Sequence, residues 1–118
     1  MQLYRFDSSV GQPIDSFGSV NGVLSKIARL GMDTQLSCIY LGRGGRIGVH
    51  PAAAPQLFLV VQGQGLVRGE GTAGLPIAPG QAAFWQQGEQ HEVLSASGLT
   101  AIVLEGPALD PSAFMPLA

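Results

Sequence analysis

Charge is scarce in this chain. Charged residues make up 12% of it, six basic and eight acidic and thinly spread, so there is no basic stripe to neutralise a run of phosphates, and nucleic acid is excluded as a partner. Cysteine is nearly absent too. Cys38 stands alone, with no partner for an internal disulfide, and its place in an alternating apolar run predicts a buried, inert thiol rather than a reactive one. No apolar run approaches the ~20 residues that span a bilayer, and the start MQLYRFDSS lacks the basic residues and apolar middle of a signal peptide. A cytoplasmic protein that does not enter membranes is expected.

What is there is core and turn. Hydrophobic residues reach 46% of 118 positions, with 17 glycines and 8 prolines, which suits a single domain able to bury a core. Residues 1–25 read as a strand followed by an irregular segment. From Ser25 onward, short apolar runs recur between turn residues: KIARL, QLSCIYL, RIGV, QLFLVV, GLVR, LPIA, AAFW, HEVLS and LTAIVLE. That rhythm predicts an all-β sandwich or barrel over residues 26–106. Val20 to Leu30 has apolar spacing for one or two helical turns at most, interrupted by Gly22, so a parallel βαβ architecture is excluded. Residues 107–118 carry three prolines and the apolar Leu109, Phe114, Met115 and Leu117. Such a tail cannot pair in the middle of a sheet; it packs across the barrel or onto a second subunit.

The chain has two histidines, and their surroundings are more specific than its composition. Gly44 precedes His50 by six positions, Gln56 follows His50 by six, and Gly63 follows Gln56 by seven. Later, Gly80 precedes Gln86 by six, Gly88 sits two further on and His91 three beyond that. Strand alternation puts Gln56, Phe58 and Val60 on one face and His91, Val93 and Ser95 on another, and a small barrel can close two such faces around one cavity.

In these two frames, GGRIGVHPAAAPQLFLVVQG and GQAAFWQQGEQHEVLS, the sequence resembles the cupin superfamily. Its first motif spaces a glycine, two histidines, a glutamate and a glycine in this way, and its second a glycine, a proline, a glycine, a histidine and an asparagine. The resemblance runs from Gly44 to Ser95 and implies a double-stranded β-helix, or jelly roll. Carried onto this chain, the metal positions are His50, Gln56 and His91, and the metals such barrels take are zinc, iron, manganese or nickel. Departures weaken that implication. Ala52 replaces the second histidine, Gln56 the carboxylate, Gln86 the proline and Ser95 the asparagine. A catalytic metal normally takes three protein ligands, often with a carboxylate to offset its charge, and here two imidazoles and a neutral amide remain. Glu92, next to His91 on a strand, points to the opposite side, whereas Glu89 lies in the turn. No cofactor and no catalytic residue is therefore assigned.

Two functions follow from different classes. In the first, the barrel binds a small molecule through His50, Gln56 and His91, with apolar walls from Phe58, Val60 and Trp85. In the second, a metal-dependent enzyme of oxygenase or isomerase type works with the reduced two-histidine set. The bland alternative is that both histidines bond to Gln56, Ser95 or a buried water, as buried polar groups must, and that Phe84 and Trp85 are plain core. Arg43 and Arg46, beside a glycine-rich turn, are solvated or hold a ligand carboxylate. A homodimer is expected, since small barrels of this kind pair through their outer sheets.

Overall fold

The chain is described by a computed structural model covering residues 1–118 except 14, 17, 18, 22, 26, 29 and 32. Strands β1 (Gln2–Arg5), β2 (Gln12–Pro13), β3 (Val23–Leu24), β4 (Gln35–Leu41), β5 (Gly45–Pro51) and β6 (Gln56–Gly63) come first. They are followed by β7 (Gly65–Arg68), β8 (Leu75–Ile77), β9 (Gln81–Trp85), β10 (Gln90–Ser95) and β11 (Leu99–Glu105). A five-stranded sheet in the order β1-β9-β6-β11-β4 faces a four-stranded sheet in the order β5-β10-β7-β8. Every pairing is antiparallel, and the two sheets form the expected jelly roll. Among the described residues no helix is long and apolar enough to cross a membrane.

Alternation along β6 explains its unbroken apolar run. Phe58 and Val60 point between the sheets, where they meet Val67, Ala83, Trp85, Val93 and Val103. Leu57 and Leu59 point the other way, onto the outer face of the larger sheet, and are just as buried. They are covered there by Leu109 and Met115 of the C-terminal tail and by Ile27 and Ala28. With both faces of the strand dry, the two-residue period disappears into a continuous run. Each large side chain withdrawn from water in these layers contributes about 1.5–3 kcal/mol.

The tail lies across its own barrel. After a short 3-10 turn at Pro111–Ala113, Leu117 bridges to Tyr4, the Arg5 N–H donates to the Pro116 carbonyl (3.1 Å) and the Ala118 N–H to that of Leu3 (2.8 Å). The outer edge of β1 is thus covered by chain rather than left open.

Three expectations are corrected. Cys38 is exposed, not buried. β4 is an edge strand, and its alternation sends Ile39 and Leu41 toward the core while Leu36, Cys38 and Tyr40 are exposed on the outer surface. The KIARL run forms no strand at its described residues; Ile27 and Ala28 pack on the outer layer without a ladder. The weak helical spacing of Val20 to Leu30 likewise yields no helix where it is described, only the two-residue β3, and Gly22, Lys26 and Arg29 lie outside the described residues.

Candidate functional site

His50 near the end of β5 and His91 near the start of β10 are direct partners in the ladder. Three positions further back, Ile47 pairs with Val93, so β5 carries one residue more than β10 between the two pairs. This bulge at Gly48–Val49 re-aims the end of β5. It leaves the two imidazoles with centroids 4.3 Å apart and tilted by 53°.

Backbone carbonyls fix the tautomer of both rings. His50 Nδ1 lies 2.7 Å from the Gly48 carbonyl oxygen and His91 Nδ1 3.2 Å from that of Glu89. A carbonyl only accepts, so each Nδ1 carries the proton and each Nε2 is left as a lone-pair acceptor. His91 is 3% exposed, whereas His50 is exposed at the rim. Burial pushes the pKa of His91 down and the facing His50 adds to this, against the opposing pull of the Glu89 carbonyl and of the Glu89 and Glu105 carboxylates.

Below the pair, the rings continue into the core. Trp85 sits 4.6 Å from His91 and Phe58 lies edge-on to Trp85 at 6.0 Å, centroid to centroid. Trp85, Phe58 and Val60 are at most 1% exposed, so they form the floor of the site within the packed core. The Trp85 Nε1–H donates to the Arg68 carbonyl at 3.0 Å, which satisfies its one polar atom. Phe84, the neighbour of Trp85, points to the opposite face and joins the outer layer.

Gln56 completes the set differently from its motif position. Its Nε2 donates to Glu105 Oε1 at 2.6 Å, because Gln56 and Glu105 are paired across the β6–β11 ladder. Sequence reasoning missed Glu105, 49 positions away; the signal was the acidic end of the LTAIVLE strand. Glu89 is already engaged. It binds the Met1 ammonium at 2.6 Å and accepts from the Gln86 N–H at 3.0 Å. Burial works against its charge, but these partners outweigh it and hold the carboxyl below its ordinary range. Glu92 is buried on the outer face of the smaller sheet, 2.5 Å from Arg68 Nη2 and 3.8 Å from Arg46 Nε.

Ala52, where a second motif histidine would stand, is buried in the inner core. Among the described residues no cluster of three histidine, cysteine or acidic side chains is arranged to hold a metal ion. The donor set therefore stops at two imidazoles, short of the three protein ligands a catalytic metal takes. Beside His91 lies a cavity of about 250 Å³ bounded by Val49, Arg68, Thr72, Gln90 and Glu92. A larger one, about 510 Å³, lies at the far end of the same sheet, and among the described residues Arg46 is the only charged side chain lining it. Arg43 does not line it.

No protein-family model matches the chain, and no curated protein is similar to it. Solved structures do match. A cupin superfamily protein from Desulfitobacterium hafniense superposes with a TM-score of 0.60 at 14% identity, over 76% of this chain and 82% of that one. An RmlC-like cupin family protein with a double-stranded β-helix fold, from Methanocaldococcus jannaschii, gives 0.59 at 14% identity over 88% of each chain. A predicted oxalate decarboxylase from Thermotoga maritima gives 0.54 at 23% identity, over 70% of this chain and 73% of that one. At such identities the likeness concerns architecture, and it agrees with the two-sheet topology: the chain has the double-stranded β-helix fold of the cupins.

Proposed function

We propose that this cupin-fold domain binds a small polar molecule at the His50–His91 end of its barrel. The observation that carries this reading is the histidine pair itself: two rings held by backbone carbonyls in one tautomer, presenting two Nε2 acceptors. Such a pair accepts hydrogen bonds from a ligand hydroxyl or amine. Trp85 beneath it supplies an apolar floor, and Gln56 with Glu105 a polar wall; the 250 Å³ cavity beside His91 is lined by Val49, Arg68, Gln90 and Glu92 rather than by His50, Gln56 or Trp85. A few polar groups over an apolar base is the usual composition of such sites. The single cysteine, with no partner for an internal disulfide, suits a reducing, cytoplasmic setting.

The test is a ligand-observed NMR screen of small polyols, hydroxy acids and amino acids against the untagged chain and its His91→Phe variant. Binders that are lost with the variant support the reading. Binders indifferent to the substitution, or none at all, overturn it.

One observation favours a second reading, a metal-dependent enzyme of oxygenase or isomerase type. Nδ1–H donation to a carbonyl is also how proteins orient histidines that bind metal through Nε2. A divalent ion held there by His50 and His91, with Gln56 nearby, would supply Lewis-acid polarisation of a ligand oxygen. Elemental analysis separates the two readings: near-stoichiometric zinc, iron, manganese or nickel that disappears in the His50→Ala, His91→Ala double variant would establish the second.

A further inference from the structure

The end of the barrel that holds the histidines is bounded by two rungs, one from each sheet. In the larger sheet Gln35, Glu105, Gln56 and Trp85 pair in line across β4, β11, β6 and β9. Glu105, Gln56 and Trp85 share the inward face of Val103, Phe58 and Ala83, each two positions along its strand. In the smaller sheet the rung is His50 with His91, and the 4.6 Å contact of Trp85 with His91 joins the two.

These groups accept hydrogen bonds and donate few. With each Nδ1 proton turned to a backbone carbonyl, both imidazoles present only Nε2 as an acceptor. A carboxylate cannot donate, so the Gln56 nitrogen must be the atom 2.6 Å from Glu105, and the Gln56 oxygen is left over. The Trp85 N–H already donates to the Arg68 carbonyl. The donors that remain are the second amide hydrogen of Gln56 and the exposed Gln35 at the rim, which can turn either end of its amide inward. Among the described residues neither Nε2 nor the Gln56 oxygen has a protein partner, yet no side-chain polar atom sealed from solvent lacks one. His91 is 3% and Gln56 9% exposed, so the little surface each keeps includes its unpaired atom.

The two rungs carry one formal charge, that of Glu105, and among the described residues no cation is paired with it. Arg68 is taken by Glu92 on the outer face of the smaller sheet, and the Met1 ammonium by Glu89. An anionic ligand would face acceptors and a like charge, whereas a cation that donates hydrogen bonds matches both. A metal ion answers the charge but not the spacing. It needs its ligands within about 2.0–2.3 Å, and among the described residues Glu105 and the histidines do not cluster that closely. An ammonium reaches its acceptors at about 2.7–3.2 Å, along three separate directions.

We propose, on the reading of the histidine end as a binding site, that its ligand is a small protonated primary amine without a carboxylate. The N–H groups of the amine are shared among the Nε2 atoms of His50 and His91 and the Gln56–Glu105 pair. Burial of His91 favours its neutral form, which keeps that Nε2 an acceptor. An amino acid carries the same ammonium but sets a second carboxylate near Glu105, so simple amines and amino alcohols are preferred over it.

Four probes with one propyl chain separate charge from hydrogen bonding on the full, untagged protein: propylammonium, 1-propanol, butyrate and trimethylpropylammonium, titrated at neutral pH by ligand-observed NMR. Propylammonium should bind about tenfold more tightly than each of the others, the worth of a charged hydrogen bond. Glu105→Gln, which keeps an acceptor for Gln56, should weaken propylammonium about tenfold and leave 1-propanol unchanged. Asp110→Asn, which removes the same charge from the exposed tail, should alter neither. Butyrate or 1-propanol bound as tightly as the amine, yet lost in His91→Phe, would overturn the amine and leave a site of other specificity. Equal binding of trimethylpropylammonium, or an amine indifferent to Glu105→Gln, would also overturn it. If no probe bound, or if His91→Phe bound them unchanged, the amine and the histidine site would fall together.

Discussion

His50 and His91 face each other across one rung of the β5–β10 ladder, yet one ring is at the surface and the other is buried. The asymmetry follows from position: β5 is an edge strand, while β10 lies between β5 and β7. A ligand reaching the pair from solvent meets His50 first and His91 beneath it, over Trp85. Protonation of the buried ring is disfavoured, so His91 offers a neutral acceptor at pH values where an isolated histidine would be partly charged.

The lowered pKa of His91 fixes the sign of a pH effect on stability. The unfolded chain takes up this proton near the ordinary histidine value of about 6.5, while the folded chain resists it because the ring is buried and faces His50. Between the lowered value and about 6.5 the unfolded state binds more protons, so stability rises with pH in that window. It is complete above the window and lost as pH falls through it. Urea unfolding between roughly pH 7.5 and 5.5 should show a steeper acid loss for the native chain than for His91→Gln. Equal slopes would rule out His91 as the cause.

Glu105 predicts a separate effect at the same ring. Its carboxylate pulls the His91 pKa upward, so Glu105→Gln, which keeps a hydrogen-bond acceptor for Gln56, should shift the NMR titration of His91 further down. Glu105→Leu has a further consequence. It leaves the buried Gln56 amide without its partner at 2.6 Å, and an orphaned buried polar group costs about 1–3 kcal/mol. Thermal or urea unfolding of the two variants should separate the electrostatic effect from the hydrogen bond.

Motif spacing was enough to bring His50 and His91 together and to name the architecture, because alternation and turn chemistry are local properties. The bulge that sets the rings opposite each other was not legible, since Gly48 and Val49 look like ordinary strand residues until β10 is laid beside them. Glu105 was hidden for a related reason: its place beside Gln56 depends on the register of β11 against β6, which only the folded sheet determines. Cys38 shows the limit of pattern reading. Its alternating run was correctly read as a strand, but which strand becomes an edge is decided by sheet order, so burial was inferred where there is exposure.

Trp85 links the site to the core, so its replacement should disturb both. Trp85→Phe removes the donor to the Arg68 carbonyl and leaves space in the packed inner core around Phe58 and His91. The two losses together should cost about 1–3 kcal/mol. The chain has one tryptophan, so unfolding must be followed by circular dichroism rather than intrinsic fluorescence. The same variant should move the His91 ring resonances, since the indole lies against that imidazole at 4.6 Å. A stable variant with unmoved resonances would mean the indole is neither support nor floor.

Gly63, at the end of β6, tests whether the last glycine of the first motif is structural. Its φ of 81° lies in the left-handed region, where a side chain is strained. A Cβ built there would also run into the Gly98 carbonyl oxygen and Leu99 Cα, which are backbone and cannot swing aside. Both effects act at the rung where Leu99 pairs with Gly63, before the register shift that re-aligns β11 with β6. Gly63→Ala should therefore destabilise the fold by more than 1 kcal/mol, beyond the range of a surface substitution. Gly71→Ala is the control, since its φ of 68° carries the same backbone strain with nothing within 4 Å of the added methyl. Comparing their urea midpoints isolates the clash, and equal losses would show that dihedral strain alone fixes glycine at position 63.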